Sequence, residues 1–130
     1  MKIIDGENAV MGRLASFAAK EALKGEEIVI VNCNKVLISG SRKRVESDFQ
    51  IKRGRYGSSQ KGPRISKSNE QIVKRTIRGM LPNFREGRGK ELIKKIKCYN
   101  KVPKEYENSE KVKLEQKKLK KSIKLEEMRK

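Results

Sequence analysis

The run Glu27-Ile28-Val29-Ile30-Val31 constrains this chain more than any other stretch. Four consecutive β-branched residues, stopped by Asn32, leave no polar face to turn toward water. Such a run predicts a strand buried on both sides, as in a parallel sheet covered by helices. A helical pattern precedes it. Between Met11 and Lys24, Leu14, Phe17, Ala18 and Ala22 share one face, while Arg13, Lys20, Glu21 and Lys24 face away. Gly25 fits the left-handed position that closes a helix. With Lys2-Ile3-Ile4 as an opening strand, the order strand–helix–strand predicts an α/β domain around a small, mainly parallel sheet.

Further along, Lys35-Val36-Leu37-Ile38 reads as a second short strand after the central one. Ser39-Gly40-Ser41 ends it and caps a helix over 42–53, with Val45 and Phe49 at i, i+4. Residues 54–64 hold three Gly, one Pro and two Ser and read as a loop. Asn69 is the expected cap of a third helix, Glu70 to Leu81, whose buried stripe is Ile72, Val73, Thr76, Ile77 and Met80. Pro82 stops it. A basic loop, 85–89, leads to a helix carrying Leu92, Ile93 and Ile96, and Lys97-Cys98-Tyr99 reads as an edge strand.

After Tyr106 the composition changes to Lys and Glu with scattered Val112, Leu119 and Ile123. Their spacing allows a helix, but the apolar stripe is too thin to build a core. The expected division is a domain over 1–106 and a charged helical extension over 107–130, solvated or docked on a partner. Removing that extension is expected to leave thermal unfolding nearly unchanged.

Charge follows the same division of labour. Residues 1–41 carry five basic and five acidic side chains, so the whole net charge of +18 lies in 42–130. An excess of this size repels itself unless a partner neutralises it. The phosphate backbone of a nucleic acid does so with release of condensed counterions. A membrane surface is the competing polyanion, but it requires a basic amphipathic helix with bulky apolar anchors, and aromatics make up only 5% of the chain. No apolar run approaches the ~20 residues of a bilayer span. The early Asp5 argues against a signal peptide. Cys33 and Cys98, 65 positions apart without a CxxC or His partner, read as small buried hydrophobes in a reducing, cytoplasmic setting.

Several chemistries are missing. There is no His, hence no Ser-His or Cys-His dyad, and neither a GxxxxGK[ST] loop nor a GxGxxG fingerprint occurs. Asp5 and Glu7, ahead of the first helix, suit capping or its dipole better than acid–base work. The expectation is a binding protein, not an enzyme, with no cofactor, metal or small-molecule substrate. A nucleotide-using or RNA-modifying enzyme on a doubly wound scaffold is the opposing reading, and a free RNA-binding translational regulator is a third.

The cations cluster. Residues 42–64 hold eight basic and two acidic side chains and residues 74–101 hold ten and two, giving +6 and +8. Within them Lys52, Lys61 and Lys90 add ammonium groups to an Arg-rich pattern whose planar forks suit phosphate oxygens. Tyr56, between Arg55 and Gly57, offers a ring for an unpaired base. Ile38-Ser39-Gly40-Ser41-Arg42-Lys43-Arg44 would converge backbone N–H groups and three cations on an anion. No helix-turn-helix, zinc finger or basic zipper appears, so RNA is preferred over DNA.

Several strings then coincide: GRLAS (12–16), VNCNKVLISG (31–40), RGMLP (78–82), and G-x-x-x-E-L-I-K-K-I-K-C-Y-x-x-x-P from Gly87 to Pro103. In that order and spacing the chain resembles the large-subunit ribosomal protein L-13 family over residues 1–106, closer to its archaeal and eukaryotic branch. The resemblance implies a three-layer α/β/α domain around a four-stranded parallel sheet. It also implies a non-catalytic structural role on large-subunit ribosomal RNA, beside neighbouring ribosomal proteins. By position it implies RNA contacts at Arg13, Arg42, Lys43, Arg44, Arg53, Arg55, Tyr56, Arg64, Arg75, Arg78, Arg85 and Arg88. Where relatives carry a His and aromatics after Gly-Pro, this chain has Arg64-Ile65-Ser66-Lys67-Ser68, so contacts by those side chains do not carry over.

Overall fold

The computed structural model describes residues 1–55, 65–83, 85–114 and 119–128. Strand β1 (Lys2–Asp5) pairs in parallel with β2 (Ile28–Val31), Ile3 opposite Val29 and Ile4 opposite Ile30. Strand β4 (Ile96–Cys98) adds in parallel to the other side of β2. β2 is thus interior, and all four of its side chains are at most 2% exposed. Burying each Ile or Val contributes about 1.5–3 kcal/mol, which makes this run the keel of the fold.

The pleat divides the strands between two faces. Ile4, Ile28 and Ile30 join the larger core, into which helix α1 (Met11–Leu23), helix α3 (Asn69–Met80) and Leu92 of helix α4 (Gly87–Lys94) also pack. Ile3, Val29 and Val31 point the other way and are covered by Tyr99, Val102 and Tyr106. That third layer is thin, ending in a single 3-10 turn, Lys104–Tyr106.

Alanine lets α1 lie close: Ala15, Ala18, Ala19 and Ala22 are buried beside Leu14. Gly25, at φ 93°, ends the helix in a conformation that L side chains rarely adopt. Glu21 departs from the expectation that it faces away. It is buried, and its carboxylate pairs with both Lys2 and Lys24, because the β1 start lies alongside the last turns of α1. Asp5 also behaves differently from a helix cap. Its carboxylate accepts from the Glu7 N–H (3.0 Å) and the Asn32 amide (2.9 Å), tying two loops together, while Glu7 pairs with Lys35. The N-cap of α1 is Val10, without a side-chain bond.

Helix α2 spans Arg42–Arg53, as its spacing predicts, with Ser41 Oγ accepting from the Arg44 N–H. In α3, Ser68 rather than Asn69 holds the N-cap position, one residue before the expected one. Ile72, Val73 and Ile77 are buried as expected, but Met80 is 45% exposed. The chain turns extended at Leu81, and that side chain takes the core position at the helix end.

The fourth sheet strand is not where the sequence suggested. β3 (Leu37–Ser39) leaves the main sheet, because Asn32 in the left-handed region and a 3-10 turn, Cys33–Lys35, carry the chain past the β2 end. The strand beside β1 is instead β5 (Val112–Lys113), from the charged extension, giving the parallel order β4-β2-β1-β5. β3 pairs antiparallel with β6 (Ser122–Lys124), Ile38 opposite Ile123.

The described part of the extension is therefore not an α-helix, and its last residues are not a solvated tail. It forms two short strands and a 3-10 turn, Leu125–Glu127. Ile123, Leu125 and Met128 are buried in the main core, and the Leu125 N–H donates to the Val36 carbonyl at 3.0 Å. Ile123 and Leu125, two positions apart, follow the strand period, which reading Val112, Leu119 and Ile123 as a helical stripe obscures. Among the described residues no helix is long and apolar enough to cross a membrane.

Candidate nucleic-acid interface

Helix α2 buries only Val45. Its charged side chains therefore stand out from the scaffold, with α3 on the other side of an open groove of about 680 Å³. The floor of the groove is apolar, built from Met11, Ile38, Val45, Phe49 and Ile72, and its rim carries Arg44, Lys52, Arg55, Arg75 and Asp48. Folding thus brings together cations from both basic windows of the sequence. An apolar floor under a cationic rim suits a polyanion that also offers flat apolar faces, as unpaired nucleotides do.

The sequence pattern assigns Phe49 only to helix packing. It is half-buried, with the Lys52 ammonium 5.7 Å and the Arg53 guanidinium 5.9 Å from its ring centre. The signal that could have found it is an aromatic four residues from a core Val in an otherwise cationic helix. Arg53 is the anomaly: all three guanidinium nitrogens are covered, and none has a hydrogen-bond partner.

The remaining expected contacts divide by what they touch. Arg13, Lys43, Arg85 and Lys90 are exposed, and Arg78 is half-buried beside Arg75 on α3, where both line a second cleft of about 410 Å³. Arg42 is exposed but engaged within the chain, by Glu46 at 3.0 Å and by the Glu127 carbonyl at 3.1 Å. Arg88 donates to the Leu23 carbonyl at 2.6 Å, satisfying an acceptor at the α1 C-terminus. Tyr56, Lys61 and Arg64 lie outside the described residues.

Strand, Gly turn and helix do follow one another at 38–44, with Gly40 at φ 126°. The extension lies beside this junction: the Gly40 N–H donates to the Lys121 carbonyl, and Ser41 Oγ already takes the Arg44 N–H. The backbone donors expected for an anion are thus partly engaged.

Among the described residues no three His, Cys, Asp or Glu side chains are grouped to hold a metal ion.

A family model described as ribosomal protein L13 matches residues 1–105. The chain is 46% identical over 112 residues to the large ribosomal subunit protein uL13 of Thermoplasma volcanium, covering 86% of this chain and 80% of the relative. It is 40% identical to the uL13 protein of Methanococcoides burtonii (88% and 81% covered) and 44% to that of Methanosarcina barkeri (85% and 78%).

Proposed function

The chain belongs to the ribosomal protein L13 family, and on that premise we propose that it is a structural constituent of the large ribosomal subunit. It binds and stabilises large-subunit ribosomal RNA during and after assembly, in the cytoplasm. Its work is to neutralise and lock folded RNA, with no bond made or broken.

The observation that carries the RNA contact is the set of cations Arg44, Lys52, Arg55 and Arg75 around one groove, with Arg53 covered beside it. A covered guanidinium without an acceptor costs several kcal/mol, and its two neighbours along α2 and the following turn, Lys52 and Arg55, are exposed cations. Phosphates can reach these exposed cations and relieve their mutual repulsion. Arg44, Lys52, Arg55 and Arg75 around the groove form the centre of the contact. Arg13, Lys43, Arg78, Arg85 and Lys90 extend it, as do Tyr56, Lys61 and Arg64 from the segment between α2 and α3. Arg42 and Arg88 act chiefly as braces, since their guanidinium groups already hold the extension and the α1 end.

Salt titration of binding to large-subunit RNA tests this. Arg53→Ala with Arg55→Ala lowers affinity and flattens the log–log salt dependence by about one unit for each phosphate left unneutralised. An unchanged slope removes phosphate binding from α2. If the wild-type protein fails to stay stoichiometric with large subunits through a high-salt wash, the free regulator reading replaces the structural one.

A further inference from the structure

The fold brings the two cysteines of this chain together. Ile30 of β2 pairs with Cys98 of β4. Its carbonyl accepts the Tyr99 N–H at 2.8 Å and also faces the Cys33 Sγ at 3.8 Å. The Cys33 N–H donates to the Tyr99 carbonyl at 3.1 Å. Distant in sequence, the two residues become neighbours where two parallel strands end.

Their surroundings differ. Cys33 is buried, and its thiol is pushed far up by a hydrogen bond with the Cys98 thiol and then by burial, so it keeps its proton. Cys98 is partly exposed and opens onto a cleft of about 200 Å³ that also carries Lys74, Lys97 and Glu70. Two ammonium groups against one carboxylate leave a net positive charge beside an accessible sulfur, which favours the approach of an anionic reagent.

We propose that Cys33 and Cys98 form a modification site that takes an anionic low-molecular-weight disulfide and becomes an intrachain disulfide. The Cys98 thiolate attacks one sulfur of the reagent, forming a mixed disulfide and releasing one thiolate. Cys33 then attacks the Cys98 sulfur and passes its proton to the departing sulfur, expelling the second thiol. Two protein thiols are oxidised and one reagent disulfide is reduced to two thiols. Bond formation brings the sulfurs to about 2.0 Å. The bridge closes a loop holding α2, α3 and α4, and so fixes the cation-bearing part of the chain to the central strand. In a reducing pool the pair stays a dithiol.

The test uses the full-length folded protein with glutathione disulfide, read by intact mass and peptide mapping. Wild-type protein is expected to lose two hydrogens, show a Cys33–Cys98 linked peptide, remain monomeric and gain several degrees in thermal midpoint. Cys33→Ser is expected to stop with one glutathionyl group on Cys98. Cys98→Ser is expected to stay unmodified while folded, because Cys33 has no access. Closure in the folded chain should exceed that in denaturant by about tenfold or more, since the strands hold the sulfurs at high effective concentration. Both thiols surviving, a stable adduct on wild-type Cys98, chain-to-chain linkage, or equal rates folded and unfolded would each overturn the assignment. RNA binding does not enter any of these readouts.

Discussion

Helices α1 and α2 are nearly the same length and are held for opposite reasons. α1 has thirteen residues and buries six of them, including an acid compensated by two lysines. α2 has twelve and buries one, Val45. A helix of about a dozen residues is marginal by itself in water, so α1 owes its stability to packing. α2 relies on its Ser41 cap, on Val45 and on being joined to the core at one end. Burial secures the scaffold, and the neighbouring helix is left free to carry charge. The lesson is that charge and packing have been assigned to different helices, and each can be altered with limited effect on the other.

Leu125→Ala should break the simple version of that contrast, because Leu125 lies in the cation-rich part by sequence and in the scaffold by packing. It is fully buried, and its truncation is expected to cost about 2–5 kcal/mol and lower the melting temperature by about 10 °C. Calorimetry that finds no change would return the extension to the solvated state the sequence suggested. Arg53→Met sharpens the contrast in the other direction. It removes a covered charge that has no hydrogen-bond acceptor and keeps an apolar side chain of similar length, so the free protein should be as stable or more stable while RNA affinity falls. A drop in both would mean that Arg53 braces the fold.

Glu21→Gln tests the compensated acid in α1 through pH. Hydrogen bonds from Lys2 and then Lys24 hold the Glu21 carboxyl below its ordinary 4.5, and Glu21 holds the Lys2 ammonium above its ordinary 10.5. The stabilisation is complete between those two values. It is lost as pH falls through the depressed carboxyl value and again as pH rises through the raised ammonium value. The difference in melting temperature between wild type and variant should therefore be present at about neutral pH and shrink steadily below 4.5. A pH-independent difference would assign the effect to packing. Smallest of all, Met80→Gln should change stability by less than about 0.5 kcal/mol, because the side chain stands 45% exposed at the end of α3.

Much of the fold was legible residue by residue. The start of α1 at Met11, the limits of α2 and the glycine after α1 follow from spacing and caps, which act within one turn. The β-branched run found its place as an interior strand because no other environment accepts four such side chains in succession. Legibility failed where partners lie far apart. Glu21 has the spacing of a surface residue and is buried because β1 brings Lys2 beside it. Leu125 sits in a stretch too polar to suggest a core position. Of the candidate interface, the cations were visible as a density of Lys and Arg. That four of them ring one groove, and that Arg42 and Arg88 are tied to acceptors within the chain, was not.

Composition and short-range pattern alone decided that this chain is an α/β scaffold with a polyanion-binding flank, because helix periodicity, turn chemistry and net charge need no knowledge of distant residues. Tertiary structure decided which strand stands beside β1, that the last described residues complete the core, and that two cysteines meet. Those outcomes depend on segments far apart in the chain competing for the same buried surface, and only the closed fold determines which of them fills it.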